Sequence, residues 1–165
     1  MIKCQFEEGN KTSLRHVTIS AVIINPDQTG KVLLAKRAAF LKNPGKWCLP
    51  GGYLDRDETT SEGVCREVFE ETGYKVKIVS LLRLIDQPTR PKEDRQNVEF
   101  AYIVEVVGHT GQIDKETTEL KWFDIYDVPE DVDWAYDHRE TFMWYKKWLK
   151  EKFKLPVVNN VTSVK

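Results

Sequence analysis

The segment from Gly52 to Tyr74 reads GYLDRDETTSEGVCREVFEETGY, and it predicts a helix with two defined ends. Thr59 and Glu62 have the spacing of a capping box, in which each side chain satisfies a backbone amide at the helix N-terminus. Gly73 supplies the left-handed residue that commonly ends a helix. The sequence therefore predicts a helix from Thr60 to Thr72.

One face of this helix carries three carboxylates. Apolar residues at helical spacing predict a buried stripe, made of Val64, Cys65, Val68 and Phe69. Glu67, Glu70 and Glu71 fall roughly opposite that stripe, because residues three and four apart are neighbours on a helix surface. Arg66 could relieve part of their mutual repulsion, and a hard divalent cation, Mg²⁺ or Mn²⁺, would relieve more of it. Three acids alone would favour the alternative, an ordinary solvated helix face.

The residues around the glutamates favour the metal site. The fixed positions follow the order Gly, five residues, Glu, seven residues, Arg-Glu, an aliphatic residue, any residue, Glu-Glu, any residue, Gly, and they are Gly52, Glu58, Arg66, Glu67, Glu70, Glu71 and Gly73. This pattern resembles the signature of the Nudix hydrolase family, of the MutT-like kind. Val68 fills the aliphatic position, and Tyr74 departs from the pattern only at its last, non-catalytic position.

The resemblance implies a fold and a reaction. Nudix domains have a mixed β-sheet sandwiched between helices, so the expected fold class is α/β (α+β). Nudix enzymes use bound divalent cations and a water molecule to hydrolyse a pyrophosphate that joins a nucleoside to another moiety. By motif position, the implied metal ligands are Glu67 and Glu71, then Glu70, and the backbone carbonyl of Gly52. Glu70 and Arg66 are also implied as catalytic residues, and Arg66 is expected to brace the loop and helix together with Glu58.

The general base of this reaction varies within the family and often lies outside the motif. Glu119, just before the sequence Trp122-Phe123, occupies a region where many relatives carry a further acidic ligand or base. Glu116 and Asp114 are rival candidates nearby. A solvated loop acid is an equally good interpretation of Glu119.

Substrate recognition is expected outside the motif. The segment 86–102 resembles the corresponding stretch of ADP-ribose pyrophosphatase-type Nudix proteins, in which Arg90 and Arg95 would bind phosphate. The alternative is a solubilising loop. Arg37 is a further candidate for substrate binding, and Tyr53 is the aromatic residue expected to be exposed and to face a base. His138 has no assigned chemical role and is predicted to begin a helix.

Length and composition predict one domain over residues 1–165, with a core of about 17–153 and a tail of about 155–165 that frays. The net charge of −1 does not favour a polymeric nucleic acid as partner. Three cysteines without paired spacing favour reduced thiols, and no apolar run is long enough for a membrane span. A cytoplasmic protein is expected. A homodimer is a further expectation, since many relatives form one.

Alternating and β-branched residues predict the strands of the sheet. Residues 16–25 and 31–37 are predicted to form a hairpin around a Pro-Gly-containing turn, followed after the helix by strands at 74–85, 98–107 and 119–125. Apolar residues at helical spacing predict a last helix from His138 to Phe153.

Three functions are compatible with these patterns. The first is hydrolysis of a nucleoside diphosphate linked to another group, with ADP-ribose as the favoured substrate. The second is removal of pyrophosphate from nucleoside triphosphates, including oxidised ones. The third is a nucleotide sensor without turnover, against which the complete set of motif glutamates argues.

Overall fold

The computed structural model describes residues 2–88, 96–128, 132–159 and 161–162. These residues form two α-helices, α1 (Thr60–Thr72) and α2 (His138–Glu151). The strands are β1 (Ile2–Gln5), β2 (Lys11–Leu14), β3 (Val17–Ile24), β4 (Lys31–Arg37), β5 (Trp47–Cys48), β6 (Gly51–Tyr53), β7 (Tyr74–Ile85), β8 (Val98–His109), β9 (Thr117–Asp124), β10 (Val157–Val158) and β11 (Val161–Thr162). In the part of the chain described, no helix has the length and apolar character needed to cross a membrane.

Helix α1 forms where its capping signals predict it. The hydroxyl of Thr59 accepts a hydrogen bond from the Glu62 amide, and the Glu62 carboxylate accepts one from the Thr59 amide at 2.9 Å. At the other end Gly73 has a φ of 72°, and its N–H donates to a carbonyl of the last turn. The predicted bounds of this helix are confirmed.

Strand β3 lies inside a nine-stranded mixed sheet. The main path of the sheet runs β11-β10-β7-β8-β3-β4-β5, and β6 and β9 pair with β3 and β4 respectively. β3 and β8 are parallel, and so are β7 and β10. β3 and β4 pair antiparallel, as the predicted hairpin requires.

The two helices cover opposite faces of this sheet. Neighbouring residues on a strand point to opposite faces of the sheet, so the side chains of Val22 and Ile23 lie on different faces. Ile23 belongs to a buried cluster with Val64 and Val68 of α1, whereas Val22 belongs to a cluster with Phe142 of α2. The predicted mixed sheet between helices is therefore confirmed.

The assignment of faces on α1 needs one correction. Glu71, predicted to lie opposite the buried stripe, is only 6% exposed, and Phe69, predicted to lie on the stripe, is 37% exposed. Helical periodicity gives the angle between side chains but not the neighbours that cover them. Here β6 approaches the glutamate side of the helix, and the Gly51 amide donates to Glu71.

The predicted fraying of residues 155–165 is wrong for the described part of that segment. Val157 is fully buried and pairs with Arg83 at the edge of β7, and β10 pairs in turn with β11. Pairing with β7 fixes the position of β10, and a pairing with a strand so far away along the chain cannot be predicted from the sequence of residues 155–165 alone. The last helix ends at Glu151 rather than Phe153.

The short strands β1, β2, β5 and β6 were not predicted. β1 and β2 form a separate two-stranded antiparallel hairpin at the N-terminus. β5 and β6 are two and three residues long, and they form because β4 and β3 offer them backbone partners. Segments this short carry no detectable period of two.

Candidate active-site cleft

A cleft of about 520 Å³ opens between α1, the start of β3 and β8, and the approach to α2. Its lining residues are mostly polar or charged. Those from α1 and the loop after β8 are called the acidic end, and they are Glu67, Glu70, Glu71, Asp114 and Glu116. Those from β3, from β8 and from the residue just before β8 are called the polar floor, and they are Thr18, Ser20, Asn97 and Glu99.

Two glycines let the chain approach the acidic end closely. The Gly51 N–H donates to Glu71 Oε2 at 2.9 Å. Gly51 has a φ of 152°, and a Cβ there would lie 2.1 Å from the Ile19 carbonyl oxygen. A Cβ on Gly52 would lie 2.6 Å from Glu67 Oε1, so the Glu67 carboxylate rests directly on the Gly52 backbone. Side chains at either position would displace β6 or Glu67.

Burial raises the pKa values of two of the three helix glutamates. Desolvation raises the pKa of Glu71 to about 8; the hydrogen bond from Gly51 opposes this increase, and the negative charges of Glu67 and Asp114 add to it. Desolvation also raises the pKa of Glu67, against the hydrogen bond from Arg66. Glu70 is half exposed. The acidic end therefore holds carboxylates whose negative charge is costly in the absence of a nearby cation.

Arg66 braces the helix against the preceding loop. Its Nε and Nη2 donate to the two Glu58 oxygens at 3.0 and 2.7 Å, and its Nη2 also donates to the Tyr53 carbonyl at 3.1 Å. Nη1 donates to Glu67 at 2.9 Å and to Glu70 at 3.2 Å. The hydrogen bonds from Arg66 are the main cause that lowers the pKa of Glu58. Glu58 and Arg66 therefore form the brace that the sequence predicts.

The donors at the acidic end suit a hard divalent cation. Glu67, Glu70 and Glu71 supply carboxylate oxygens, and the Gly52 carbonyl belongs to the strand on which Glu67 rests. Within residues 2–88, 96–128, 132–159 and 161–162, no three acidic, histidine or cysteine side chains are already arranged around one point as metal ligands are. Arg66 instead neutralises Glu67 and Glu70. The chemistry of the donor set fits Mg²⁺ or Mn²⁺.

The structure does not bring Glu119 to the cleft. Glu119 pairs with Lys36 at 3.2 Å, because the register of β9 against β4 sets these two residues opposite each other. Its rivals line the acidic end instead. Asp114 is held there because its amide donates to the Glu70 carbonyl at 3.2 Å and its carboxylate accepts from the Glu116 amide at 2.9 Å. Asp114 and Glu116 therefore lie at the cleft where Glu119 does not, and the catalytic role of Glu119 stays a prediction that this position does not favour.

Two of the predicted substrate-binding residues line the cleft. Tyr53 is 50% exposed, as expected, and its ring makes a T-shaped contact with the His16 ring at a centroid distance of 5.1 Å. Arg37 donates from Nε to the Lys42 carbonyl at 2.8 Å, and its guanidinium lies 5.2 Å from the Tyr136 ring centroid. Arg90 and Arg95 lie outside the described residues.

Sequence reasoning missed the polar floor and the position of His138. Thr18 with Ser20, and Asn97 with Glu99, stand two residues apart at the starts of β3 and β8, which continue as apolar strands. Two polar residues at a spacing of two, at the start of an apolar strand, were the pattern from which this polar face could have been predicted. His138 begins α2 as predicted, and its Nδ1 also accepts a hydrogen bond from the Leu49 amide at 3.0 Å, which ties α2 to the loop before the glycines.

Comparison with known proteins places this fold and cleft in a family. A sequence model of the NUDIX domain matches residues 14–145. The chain therefore belongs to the Nudix family and is a MutT-like Nudix hydrolase, an enzyme of the pyrophosphohydrolase class.

Individual relatives agree with this assignment. An ADP-ribose pyrophosphatase from Methanocaldococcus jannaschii is 33% identical over 74% of this chain and 69% of its own length. A MutT-like protein from Streptomyces ambofaciens is 32% identical over 76% of this chain and 75% of its own. The structure of an ADP-ribose pyrophosphatase from Streptococcus suis 89-1591 covers 88% of this chain and 99% of its own, with a TM-score of 0.69 and 22% identity. That structural likeness shows the fold.

Proposed function

We propose that this protein hydrolyses the pyrophosphate of a nucleoside diphosphate linked to another moiety, with ADP-ribose as the favoured substrate and Mg²⁺ or Mn²⁺ as cofactor. The observation that carries the proposal is the acidic end, where Glu67, Glu70 and Glu71 line one side of the cleft and Glu67 rests on the Gly52 backbone. The relative named as an ADP-ribose pyrophosphatase supports the choice of substrate.

The residues at the acidic end and those beside it have two proposed roles, as metal ligands and as supports. Glu67, Glu70, Glu71 and the Gly52 carbonyl would hold the cation, which polarises the phosphoryl oxygens and lowers the pKa of water when it is bound. Arg66 and Glu58 fix the spacing between helix and loop. In this proposal the glutamates of α1 supply the negative charge that binds the cation, and the contact between Arg66 and Glu58 keeps the helix and the loop in place.

The reaction needs one water and one proton acceptor. The water oxygen forms a bond to one phosphorus, the bond from that phosphorus to the bridging oxygen breaks, and the bridging oxygen leaves with the other phosphate. From ADP-ribose the products are AMP and ribose 5-phosphate. Glu70, Asp114 and Glu116 face the cleft, and we assign the proton to this group rather than to Glu119.

Arg37 and Tyr53 are proposed to bind the substrate outside the metal site. The Arg37 guanidinium is planar and suits phosphate oxygens, and its charge already opposes the increase in the pKa of Glu71. Tyr53 offers an exposed ring. Arg90 and Arg95 stay predictions for phosphate binding.

A substrate panel tests this proposal. The purified protein is assayed with ADP-ribose, dinucleotides, nucleotide sugars and nucleoside triphosphates, each with Mg²⁺, with Mn²⁺ and with a chelator. We expect metal-dependent formation of AMP and ribose 5-phosphate from ADP-ribose. Much faster cleavage of nucleoside triphosphates than of ADP-ribose would contradict ADP-ribose as the substrate and favour the triphosphates. Binding of ADP-ribose without any turnover would indicate a nucleotide sensor.

A further inference from the structure

A short loop of the cleft is held at both of its ends. Residues 49–52 are called the glycine loop, and they lead from β5 into β6. At one end the Gly51 N–H donates to Glu71 of α1 at 2.9 Å. At the other end the Leu49 N–H donates at 3.0 Å to Nδ1 of His138, the first residue of α2. The glycine loop therefore lies between the acidic end and the start of α2.

The His138 ring takes a place that a backbone carbonyl fills in a regular sheet. Just before the loop, the Trp47 N–H donates to the Asp133 carbonyl at 2.8 Å, and the Trp47 carbonyl accepts from Ala135 at 2.8 Å. A parallel ladder would next join the Leu49 N–H to the Ala135 carbonyl. The chain turns into α2 there instead, and the Ala135 carbonyl accepts from the His138 N–H at 3.4 Å. The imidazole thus supplies the acceptor that the ladder lacks.

The hydrogen bond from Leu49 also fixes the form of the imidazole. Leu49 is 1% exposed, so its N–H costs free energy wherever no acceptor meets it. A ring nitrogen that accepts a hydrogen bond carries no proton, and the proton of neutral His138 therefore lies on Nε2. A replacement side chain can hold the glycine loop only if it presents an acceptor at the position of Nδ1.

The first turn of α2 is a firm support for this contact. Arg83 of β7 donates from Nη1 to the Thr141 hydroxyl at 3.0 Å, and its Nη2 pairs with Glu140 at 3.0 Å. Arg83 and Thr141 are 1% and 0% exposed. The sheet therefore fixes the start of α2, and His138 connects that start to the glycine loop.

The position of the glycine loop sets the spacing of the donors at the acidic end. A Cβ on Gly52 would lie 2.6 Å from Glu67 Oε1, so a small shift of the loop changes the distance between the Gly52 backbone and the Glu67 carboxylate. The Pro50 carbonyl accepts from the Ala21 N–H at 2.9 Å and holds the middle of the loop to β3. Small divalent cations tolerate little error in ligand distance. Loss of one anchor of the loop should therefore weaken cation binding.

We propose that His138 is a positioning residue of the cation site, whose Nδ1 holds the Leu49 amide and thereby keeps the Gly52 carbonyl in place for the metal. His138 acts through the loop and contacts neither the metal nor the reacting atoms. The inference rests on the proposed function in requiring a cation at the acidic end, and it is independent of which nucleotide is the substrate.

The test measures Mn²⁺ binding to the substrate-free protein by calorimetry. His138→Leu removes the acceptor with little change in side-chain volume, and its Mn²⁺ affinity is expected to fall by about ten-fold. His138→Asn presents an amide oxygen close to the position of Nδ1, so its Mn²⁺ affinity is expected to stay within about three-fold of the wild type. Rescue by asparagine is the result that identifies the acceptor as the cause.

His109→Leu is the matched control. The exposed His109 contacts the Tyr74 ring at a centroid distance of 4.5 Å, and neither residue lines the cleft. This variant should bind Mn²⁺ as the wild type does. A role of His138 in stability alone predicts a different pattern, in which His138→Leu unfolds at lower denaturant concentration while the folded protein binds Mn²⁺ with unchanged affinity.

Two results would overturn the inference. One is a wild-type Mn²⁺ affinity in His138→Leu, and the other is an equal loss in His138→Leu and His138→Asn, which would assign the effect to the ring and not to its acceptor. If His138→Leu does not fold, His138→Gln takes its place, because its amide lies nearer to the position of Nε2 than to that of Nδ1. Nitrogen NMR of the wild type is a further check, and a neutral His138 with its proton on Nδ1 would refute the contact with Leu49.

Failure of the inference is separable from failure of the proposed function. A wild-type protein that binds Mn²⁺ while His138→Leu binds it equally well contradicts the positioning role alone. A wild-type protein that binds no Mn²⁺ and cleaves no nucleotide contradicts the proposed function, whatever the variants do.

Discussion

The acidic end and the polar floor of the cleft are assembled from the chain in opposite ways. Three of the four glutamates of the acidic end come from the 13-residue helix α1. The floor joins Ser20 to Glu99, which are 79 residues apart and meet only through the register of two parallel strands. The glutamate face of α1 is thus a local property of the sequence, and the polar floor is a property of the sheet.

The largest effect is expected from Glu71→Gln, which breaks the acidic end and spares the floor. The amide can still accept from Gly51, so the fold should persist, but the loss of a charged metal ligand should lower kcat by roughly 10³-fold, about 4 kcal/mol in the transition state. Steady-state kinetics measures the loss. AMP affinity without metal should not change.

The control for this prediction is Glu151→Gln, which removes an exposed helix carboxylate paired with Lys147. Its kcat should equal that of the wild type. A Glu71→Gln protein whose kcat is within a few-fold of the wild type would remove Glu71 from the site.

The two glycines of β6 should respond differently to alanine. Gly51→Ala places a Cβ against the Ile19 backbone at positive φ, so the free energy of unfolding should fall by about 2–3 kcal/mol. The three atoms nearest to an added Cβ at Gly52 all belong to the movable Glu67 carboxylate, so the main effect of Gly52→Ala should be on kcat. Chemical denaturation and kinetics separate these outcomes.

Gly108→Ala provides the comparison for both variants, because no atom lies within 4 Å of its added Cβ. It should be neutral in stability and in activity. Equal stability of Gly51→Ala and Gly108→Ala would show that β6 does not need its glycine.

Arg66→Lys tests the brace between helix and loop. Lysine keeps the charge but cannot reproduce the fork that reaches both Glu58 oxygens, so kcat should fall by about 10–100-fold. Arg56→Lys, on the exposed surface of the same loop, should have no effect. A wild-type kcat in Arg66→Lys would mean that charge alone is sufficient.

The smallest effect is a pH dependence of stability in the metal-free protein. The pKa of Glu71 is about 8 in the folded protein, above its value of about 4.3 in an unfolded chain, so the folded protein retains a proton that the unfolded chain releases. This contribution to stability is complete below about pH 4 and is lost as the pH rises through about 8. Thermal unfolding in a chelator should show it.

The readout is the difference in Tm between Glu71→Gln and the wild type. This difference should grow steadily between about pH 5 and about pH 9, because only the wild type loses the proton. Added Mg²⁺ should reduce it by stabilising the ionised wild type. A difference that does not vary with pH would contradict the buried state of Glu71.

The sequence was sufficient for α1 because each of its signals is local. Thr59, Glu62 and Gly73 set the ends of the helix, and the glutamate spacing predicts a shared face. The bounds of β7, Tyr74–Ile85, follow in the same way from a continuous strand pattern that begins directly after the helix. Local hydrogen bonds and side-chain periods decide such elements.

Properties that depend on a distant partner were predicted poorly. The burial of Glu71 needs β6, the order of Val157 needs the edge of β7, and the position of Glu119 needs the register of β9 against β4. The floor was missed for the same reason, because Ser20 alone resembles any polar residue in a strand. Register between strands far apart in sequence is set by the packing of the whole sheet.

A metal titration of ADP-ribose hydrolysis tests the central claim most directly. Wild-type protein and Glu71→Gln are stripped with a chelator and assayed for AMP and ribose 5-phosphate as Mg²⁺ or Mn²⁺ is added. We predict no product in the chelator, recovery of turnover in the wild type as metal is added, and no recovery in Glu71→Gln at comparable metal concentrations. Full turnover in the chelator, or the same metal response in both proteins, would contradict the assignment of the α1 glutamates as the cation site.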